Sequence, residues 1–254
     1  MIDERILLGF PIDFKDICQV YPPTVNDVVG NKDFGIYQSL FTMTQEELDK
    51  AFLQDERVNY VPTPFQYLLM NYYQDENVRE KIHEAFTFFI HEPVTIVPEI
   101  EMLLIGKSED ELDPNVDLEE PRLLTEKNYF EFQNKIRQVM GTEIEKKPDP
   151  EDENLDPRIK RYKMKIKQSE ELLKKKRAKK APTLGTLLTA ICCMGIGLNP
   201  LNIGEISYAC VQWLIAMEQQ KEEYDIDIRA LLAGADSKKV KPKYWIKNLD
   251  EKEL

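Results

Sequence analysis

The sequence predicts a mainly α protein with a small β-hairpin: an α-helical N-terminal domain, a charged linker helix and a helical C-terminal domain. Three observations predict it. Apolar residues recur at helical spacing behind Thr and Asp caps. Glycine is scarce, 10 in 254 residues, which argues against a sandwich of many short strands and tight turns. Only one segment, Val94 to Ile105, carries the β-branched runs and short connection of a hairpin.

The first twenty residues read as extended. Ile6-Leu7-Leu8-Gly9-Phe10-Pro11-Ile12 and Ile17-Cys18-Gln19-Val20-Tyr21 are short apolar or alternating runs, and Pro22-Pro23 stops them. Thr24 then caps a short helix through Val29. A helix from about Asp33 to Met43 places Phe34, Tyr37, Leu40 and Phe41 on one face. Thr44-Gln45-Glu46-Glu47 is a capping box opening a helix with Leu48, Phe52 and Leu53. After Pro62-Thr63-Pro64, the run Phe65 to Tyr73 is too apolar for a surface helix and should lie in the core.

Asp75 caps a helix with the apolar face Val78, Ile82, Ala85, Phe86 and Phe89, ending near His91-Glu92-Pro93 because proline disfavours helix in the residue before it. The hairpin pairs Val94–Val97 with Met102–Ile105 across a four-residue connection. An acidic loop (Gly106–Pro121) leads to Thr125, which caps a helix with Phe130, Ile136 and Val139 that Gly141 stops.

The first domain therefore spans 1–141. Residues 142–182 form the linker: an acidic stretch with Pro148, Pro150 and Pro157, then the basic helix-favouring run Arg158–Lys180 with a thin apolar stripe at Ile159, Tyr162, Ile166, Leu172 and Leu173. The C-terminal domain spans 183–254. Thr183 or Pro182 opens a helix to Met194, Gly195 to Pro200 break it, and Asn202 with Glu205 form a second capping box for a long helix. Ile206, Cys210, Trp213, Met217, Tyr224, Ile228 and Leu231 are its apolar positions, Gly234 its C-cap, and Tyr244-Trp245-Ile246 anchor the tail.

Composition narrows function by exclusion. Hydrophobic residues at 42% and charged residues at 31% fit a folded globular chain. The longest apolar stretch, near Leu184–Met194, falls short of the roughly 20 residues needed to span a bilayer. Met1-Ile2-Asp3-Glu4-Arg5 does not read as a signal peptide. Cys18, Cys192, Cys193 and Cys210 have no CxxC spacing and read as buried free thiols of a reducing cytosol. Net charge is −12, but residues 1–157 hold −20 and residues 158–180 hold +10. An acidic body repels phosphate backbones, so nucleic acid is disfavoured outside the basic run.

No catalytic, cofactor-binding or metal-ligating residue is assigned. His83 and His91 are the only histidines and lie eight apart, fitting capping or half-buried roles better than metal ligation. Gly195-Ile196-Gly197 follows a helix rather than a strand and lacks a following Lys-Ser/Thr, which argues for a turn over a phosphate loop. Acidic pairs such as Asp110-Glu111 and Glu119-Glu120 sit in polar loops. Lys174, Lys175, Lys176, Arg177, Lys179 and Lys180 form a candidate electrostatic contact, but lack the interleaved aromatics that stack bases. A solvated helix balancing the acidic body is the simpler reading. Trp213, Met217, Tyr224 and Trp245 are the candidate partner-binding residues, although a Trp213/Met217 stripe is more often core.

Several of these stretches together resemble a known family. They are Tyr21-Pro22-Pro23-Thr24, Pro64-Phe65 before an apolar helix, Ile105-Gly106, Gly197 to Ile203, Tyr224-Asp225-Ile226-Asp227-Ile228, and Leu231 to Ala235 running to Lys243-Tyr244-Trp245-Ile246. The layout resembles the tail assembly chaperones of tailed bacteriophages of Gram-positive hosts, most strongly after residue 183. The resemblance implies a non-enzymatic protein of the host cell cytoplasm. Such a protein keeps the long helical tape-measure protein soluble while tail-tube protein polymerises around it. It implies the tape-measure protein or another tail protein as partner, leaves a homo-oligomer open, and carries over no specific binding residue. Two other functions remain open at this point: a structural head–tail connector or other tail component of the virion, and a nucleic-acid-associated factor using the basic helix.

Overall fold

The computed structural model describes residues 3–53, 60–97, 101–107, 122–142, 159 and 183–244. Among these, the elements run α1 (Glu4–Leu7), β1 (Ile12–Phe14), β2 (Cys18–Val20), α2 (Val25–Gly30), α3 (Phe34–Thr42), α4 (Gln45–Phe52), α5 (Pro64–Gln74), α6 (Glu76–Ile90), β3 (Val94–Val97), β4 (Met102–Ile105), β5 (Leu123–Leu124), α7 (Glu126–Val139), α8 (Leu184–Cys193), a 3-10 turn (Ile203–Glu205) and α9 (Tyr208–Leu232). The described residues are mainly α with two small antiparallel sheets, and the mainly α class with a small β-hairpin is the one that the periodicity predicts.

The caps explain where the helices begin. In α4 the Thr44 hydroxyl accepts from the Glu47 N–H at 3.1 Å while the Glu47 carboxylate accepts from the Thr44 N–H at 2.9 Å. Thr63 and Gln66 repeat the arrangement at α5, with Pro64 at its first turn. Helix α7 ends in a Schellman motif. The Thr142 N–H donates to the Arg137 carbonyl, the Gly141 N–H donates to the Gln138 carbonyl, and Gly141 sits at φ +67.

The core is aromatic, and α6 runs through it with Ile82, Ala85, Phe86, Phe89 and Ile90 all buried. Phe41 of α3 sets its edge against Phe86, Phe89 and Phe132 at centroid distances of 4.9, 5.7 and 5.7 Å. Edge-to-face pairs of this kind each add roughly 0.5–1.5 kcal/mol beyond burial. Packing α7 over α3 would cover the last carbonyls of α3, and α7 answers that demand itself. Residues Tyr129, Gln133 and Arg137 share one face at spacings of four, and donate to the carbonyls of Leu40, Met43 and Thr42 at 3.5, 3.1 and 2.5 Å.

The hairpin forms in the expected register, Val94 opposite Ile105 and Val97 opposite Met102. Strand β5 adds to it through Leu103–Leu124 and Leu104–Leu123. Arg122, just before β5, pairs with Glu92 and donates from Nε to the Ile17 carbonyl at 3.0 Å, tying this sheet to the β1–β2 hairpin.

Four readings need correction. Residues 6–12 are not one extended run: Ile6 lies in α1, whose first turn Asp3 caps, and strand pairing begins only at Ile12. In α7 the buried aromatics are Tyr129 and Phe132, with Phe130 half-buried, because Tyr129, Phe132 and Ile136 fall on the side facing α3. Asn202 and Glu205 bracket the 3-10 turn, not the long helix. Ser207 caps that helix by accepting from the Cys210 N–H at 3.1 Å. The four thiols are unpaired, but only Cys18 is buried, and Cys193 is exposed.

The expected linker, apart from residue 159, lies outside the described residues. The described contacts do join the segment after it to the body. Thr24 and Ser207 form an antiparallel bridge, with the Tyr208 N–H donating to the Pro23 carbonyl at 2.8 Å and the Val25 N–H to the Ile206 carbonyl at 3.0 Å. Ala209 is fully buried in the main core, and Val25 packs with Ile191, Ile203 and Val211 in a second, smaller cluster.

Candidate functional site

Helix α9 is the element that carries the expected partner-binding residues. Twenty-five residues long, it extends roughly 37 Å. Its first turns are anchored: Ala209 and Val211 are buried, Trp213 packs against the main core and Ile215 against the smaller one. Beyond Ile215, none of its residues belongs to either cluster among the described residues.

Spacings of three, four and seven put Trp213, Met217, Gln220, Tyr224, Asp227, Ile228 and Leu231 on one side of α9, and all are half-buried. The other side shows Gln219, Glu222, Glu223, Ile226 and Arg229 to solvent. Leu232 closes the helix at 84% exposure. A second Schellman motif at Gly234, φ +94, then turns the chain. The tail folds back far enough for Tyr244 to meet Tyr224 edge-on at 5.9 Å.

Thus Trp213, Met217 and Tyr224 do share a face, but Trp213 also serves the core. Trp245 and the basic cluster Lys174, Lys175, Lys176, Arg177, Lys179 and Lys180 lie outside the described residues. The loop before α9 is tightly cross-bonded. The Asn199 N–H donates to Asn202 Oδ1 at 2.8 Å, the Leu201 N–H to Asn199 Oδ1 at 2.9 Å, and Asn202 Nδ2 to the Gly197 carbonyl at 3.1 Å. It holds Leu201 out at 94% exposure.

The histidines take the roles expected of them. His83 Nε2 lies 3.1 Å from the Tyr72 hydroxyl, and His91 stacks on Tyr21 at 4.0 Å while ending α6 in the left-handed conformation. Burial, with Glu92 nearby, pushes the Cys18 thiol up to about 12. Lys81 holds the Glu84 carboxyl below its ordinary range by hydrogen bonding, assisted by the Tyr37 hydroxyl at 2.6 Å. Among the described residues, no group of three or more His, Cys, Asp or Glu is arranged to hold a metal ion, and no helix is long and apolar enough to cross a membrane.

One surface escaped the sequence reading. The run Phe65 to Tyr73 was expected to be core throughout, yet only Phe65, Leu68, Leu69 and Tyr72 are buried. Met70 and Tyr73 stand 40% and 48% exposed and line a pocket of about 290 Å³ with Tyr60, Gln66, Leu69 and Glu101. The signal was present: Gln66, Leu69, Met70 and Tyr73 recur at three, four and seven, a second stripe beside the core stripe.

Comparison with known proteins adds one positive finding. Residues 174–250 match a family described as the YomV second domain, YomV being a Bacillus phage-region protein. The match covers α8, the cross-bonded loop and α9. No curated protein and no solved structure matches the chain. The C-terminal part of this chain is therefore similar to a phage-associated domain.

Proposed function

We propose that this chain is a non-enzymatic tail assembly chaperone, which holds the tape-measure protein of a phage by its apolar helical faces until the tail tube grows around it. The observation that carries the reading is the conjunction, in residues 174–250, of a match to a phage-region domain with a long helix of which, among the described residues, only the first turns join the core clusters. Along the rest of α9 a strip of Met217, Tyr224, Ile228 and Leu231 is half-exposed, next to a row of acids. Aromatic and Met side chains supply contact area to a partner helix, and the surrounding carboxylates keep the pair dispersed.

The anchored start of α9 serves this role mechanically. A binding helix fixed at one end by Ala209, Val211 and Trp213 holds the rest of its length in a set direction, so less entropy is lost on association. Met217 and Tyr224 are the contact residues in this reading, and Trp213 fixes the helix to the body.

Co-expression tests it. The tape-measure protein encoded by the same phage should stay soluble with this chain and aggregate without it. Met217→Ser with Tyr224→Ser should reduce the soluble fraction while leaving the chain folded. An unchanged soluble fraction in the presence and absence of this chain would sink the proposal.

A further inference from the structure

We propose that the pocket on the outer side of α5 receives a lysine- or arginine-bearing amphipathic helix of a partner protein. This goes beyond the reading above, since it concerns the N-terminal body and holds whether or not the partner is a tail protein.

The pocket is built rather than incidental. Gln66, Leu69, Met70 and Tyr73 form a stripe two turns long, the length over which a docked helix meets its groove. Tyr60 closes one side. Its hydroxyl donates to Gln66 Oε1 at 2.5 Å, and the same oxygen accepts from the Thr63 N–H at 3.0 Å, so the capping box of α5 also fixes this ring. Glu101 comes from the turn between β3 and β4, where it takes φ +50. Its carboxylate enters none of the ion pairs among the described residues.

Charge decides the occupant. Two tyrosine rings, a thioether and one carboxylate make a lining that attracts a cation through its π faces and its charge together. The surrounding chain agrees, with residues 1–157 at net −20 and Asp75 and Glu76 two and three positions past the end of the stripe. An anionic ligand would meet Glu101 unpaired. At about 290 Å³ the pocket is at the small end of ligand sites (about 300–1,000 Å³), which suits one long side chain projecting from a helix. Met70 and the tyrosine edges supply the apolar floor for the stem of that side chain and for its apolar neighbours on the helix.

The test uses the full chain and a fluorescein-labelled Leu/Lys amphipathic peptide of about five helical turns, with a Leu/Glu peptide as its opposite. Fluorescence anisotropy should show saturable binding of the Lys peptide alone. Glu101→Gln should weaken it about fivefold and Tyr73→Ala about tenfold, while Asp16→Asn, an exposed carboxylate between β1 and β2, leaves it unchanged. Glu101→Gln lies on an exposed turn, so it keeps the test decisive should Tyr73→Ala disturb α5. Equal weakening by Asp16→Asn and Glu101→Gln would mean general attraction to an acidic body and would overturn the proposal, as would absence of binding. Binding that appears only after Lys174–Lys180 are neutralised would assign the pocket to the chain's own basic run, and a dimer dissolved by Glu101→Gln would assign it to a second copy. Either result also overturns it.

Discussion

The seat of α9 on the body rests on a close approach that one methyl group should spoil. Gly141 ends α7 at φ +67, and a Cβ there would lie 2.8 Å from the Ala209 Cα, 3.1 Å from the Ala209 carbonyl oxygen and 3.1 Å from the Gln212 Cβ. The nearest two atoms are backbone, so relief requires moving α9 itself. Gly234 supplies the matched control. It occupies the same Schellman position at φ +94, with nothing within 4 Å of its would-be Cβ. Gly234→Ala therefore incurs the left-handed strain alone, about 1–2 kcal/mol. Gly141→Ala incurs the same strain plus overpacking of about 1–3 kcal/mol, or roughly 2–5 kcal/mol together. Urea unfolding would be followed by tryptophan fluorescence, since Trp213 packs against the core at this junction, and by far-UV circular dichroism. The fluorescence midpoint should fall further for Gly141→Ala than for Gly234→Ala, with α9 undocking before the body unfolds. Equal shifts for the two variants would refute the reasoning, because strain would then be the whole effect.

Four further outcomes follow from the same structure. Gln133→Leu strips the Met43 carbonyl of its donor inside the core and should cost about 1–3 kcal/mol, read as a lowered thermal midpoint. Thr44→Ala removes the α4 capping box and should cost about 1 kcal/mol, which chemical denaturation would measure. The thiols should separate by reactivity: a disulfide reagent should modify exposed Cys193 first and buried Cys18 last. Cys18 also sets a pH dependence. Its thiol is raised from an ordinary 9.0 to about 12, so it stays neutral in the fold where the unfolded chain ionises. That stability is fully present below pH 9.0 and is lost as pH rises towards about 12, at up to about 1.4 kcal/mol per unit. Cys18→Ala should flatten this part of the slope in denaturation series at about pH 8 and about pH 10.5, leaving the contribution of buried Tyr129, which has the same sign.

Much of the fold was legible because local signals and burial agree there. Thr24, Thr44 and Asp75 cap the helices that their neighbours predict, and the hairpin register at Val94 follows from its four-residue connection. The misses have physical reasons. Strand β5 is two leucines long, too short for any period to register, and exists only because Leu103 and Leu104 offer an edge. The start of α9 was misplaced because Asn202 and Glu205 satisfy a capping pattern locally, while contact with Pro23 and Val25 extends the backbone at Ile206 and moves the cap to Ser207. The α5 pocket was hidden because an apolar helix reads as core whichever of its two stripes is inward. Its outward stripe is defined only by where Tyr60 and Glu101 arrive in space. The face of α9 was legible as a stripe, but which of its turns join the core clusters of the described residues depends on contacts with α1 and α7, which no periodicity encodes.

The bridge between Thr24 and Ser207 has a consequence for how this polypeptide is made. Until Ile203 to Val211 have left the ribosome, the Val25 amide and Pro23 carbonyl lack their mates, and the apolar side of α2 has no lid. A nascent chain must therefore wait unfinished, closing a loop of about 180 residues late, a topology that slows folding. Expression of residues 1–182 by themselves would reproduce that waiting state permanently.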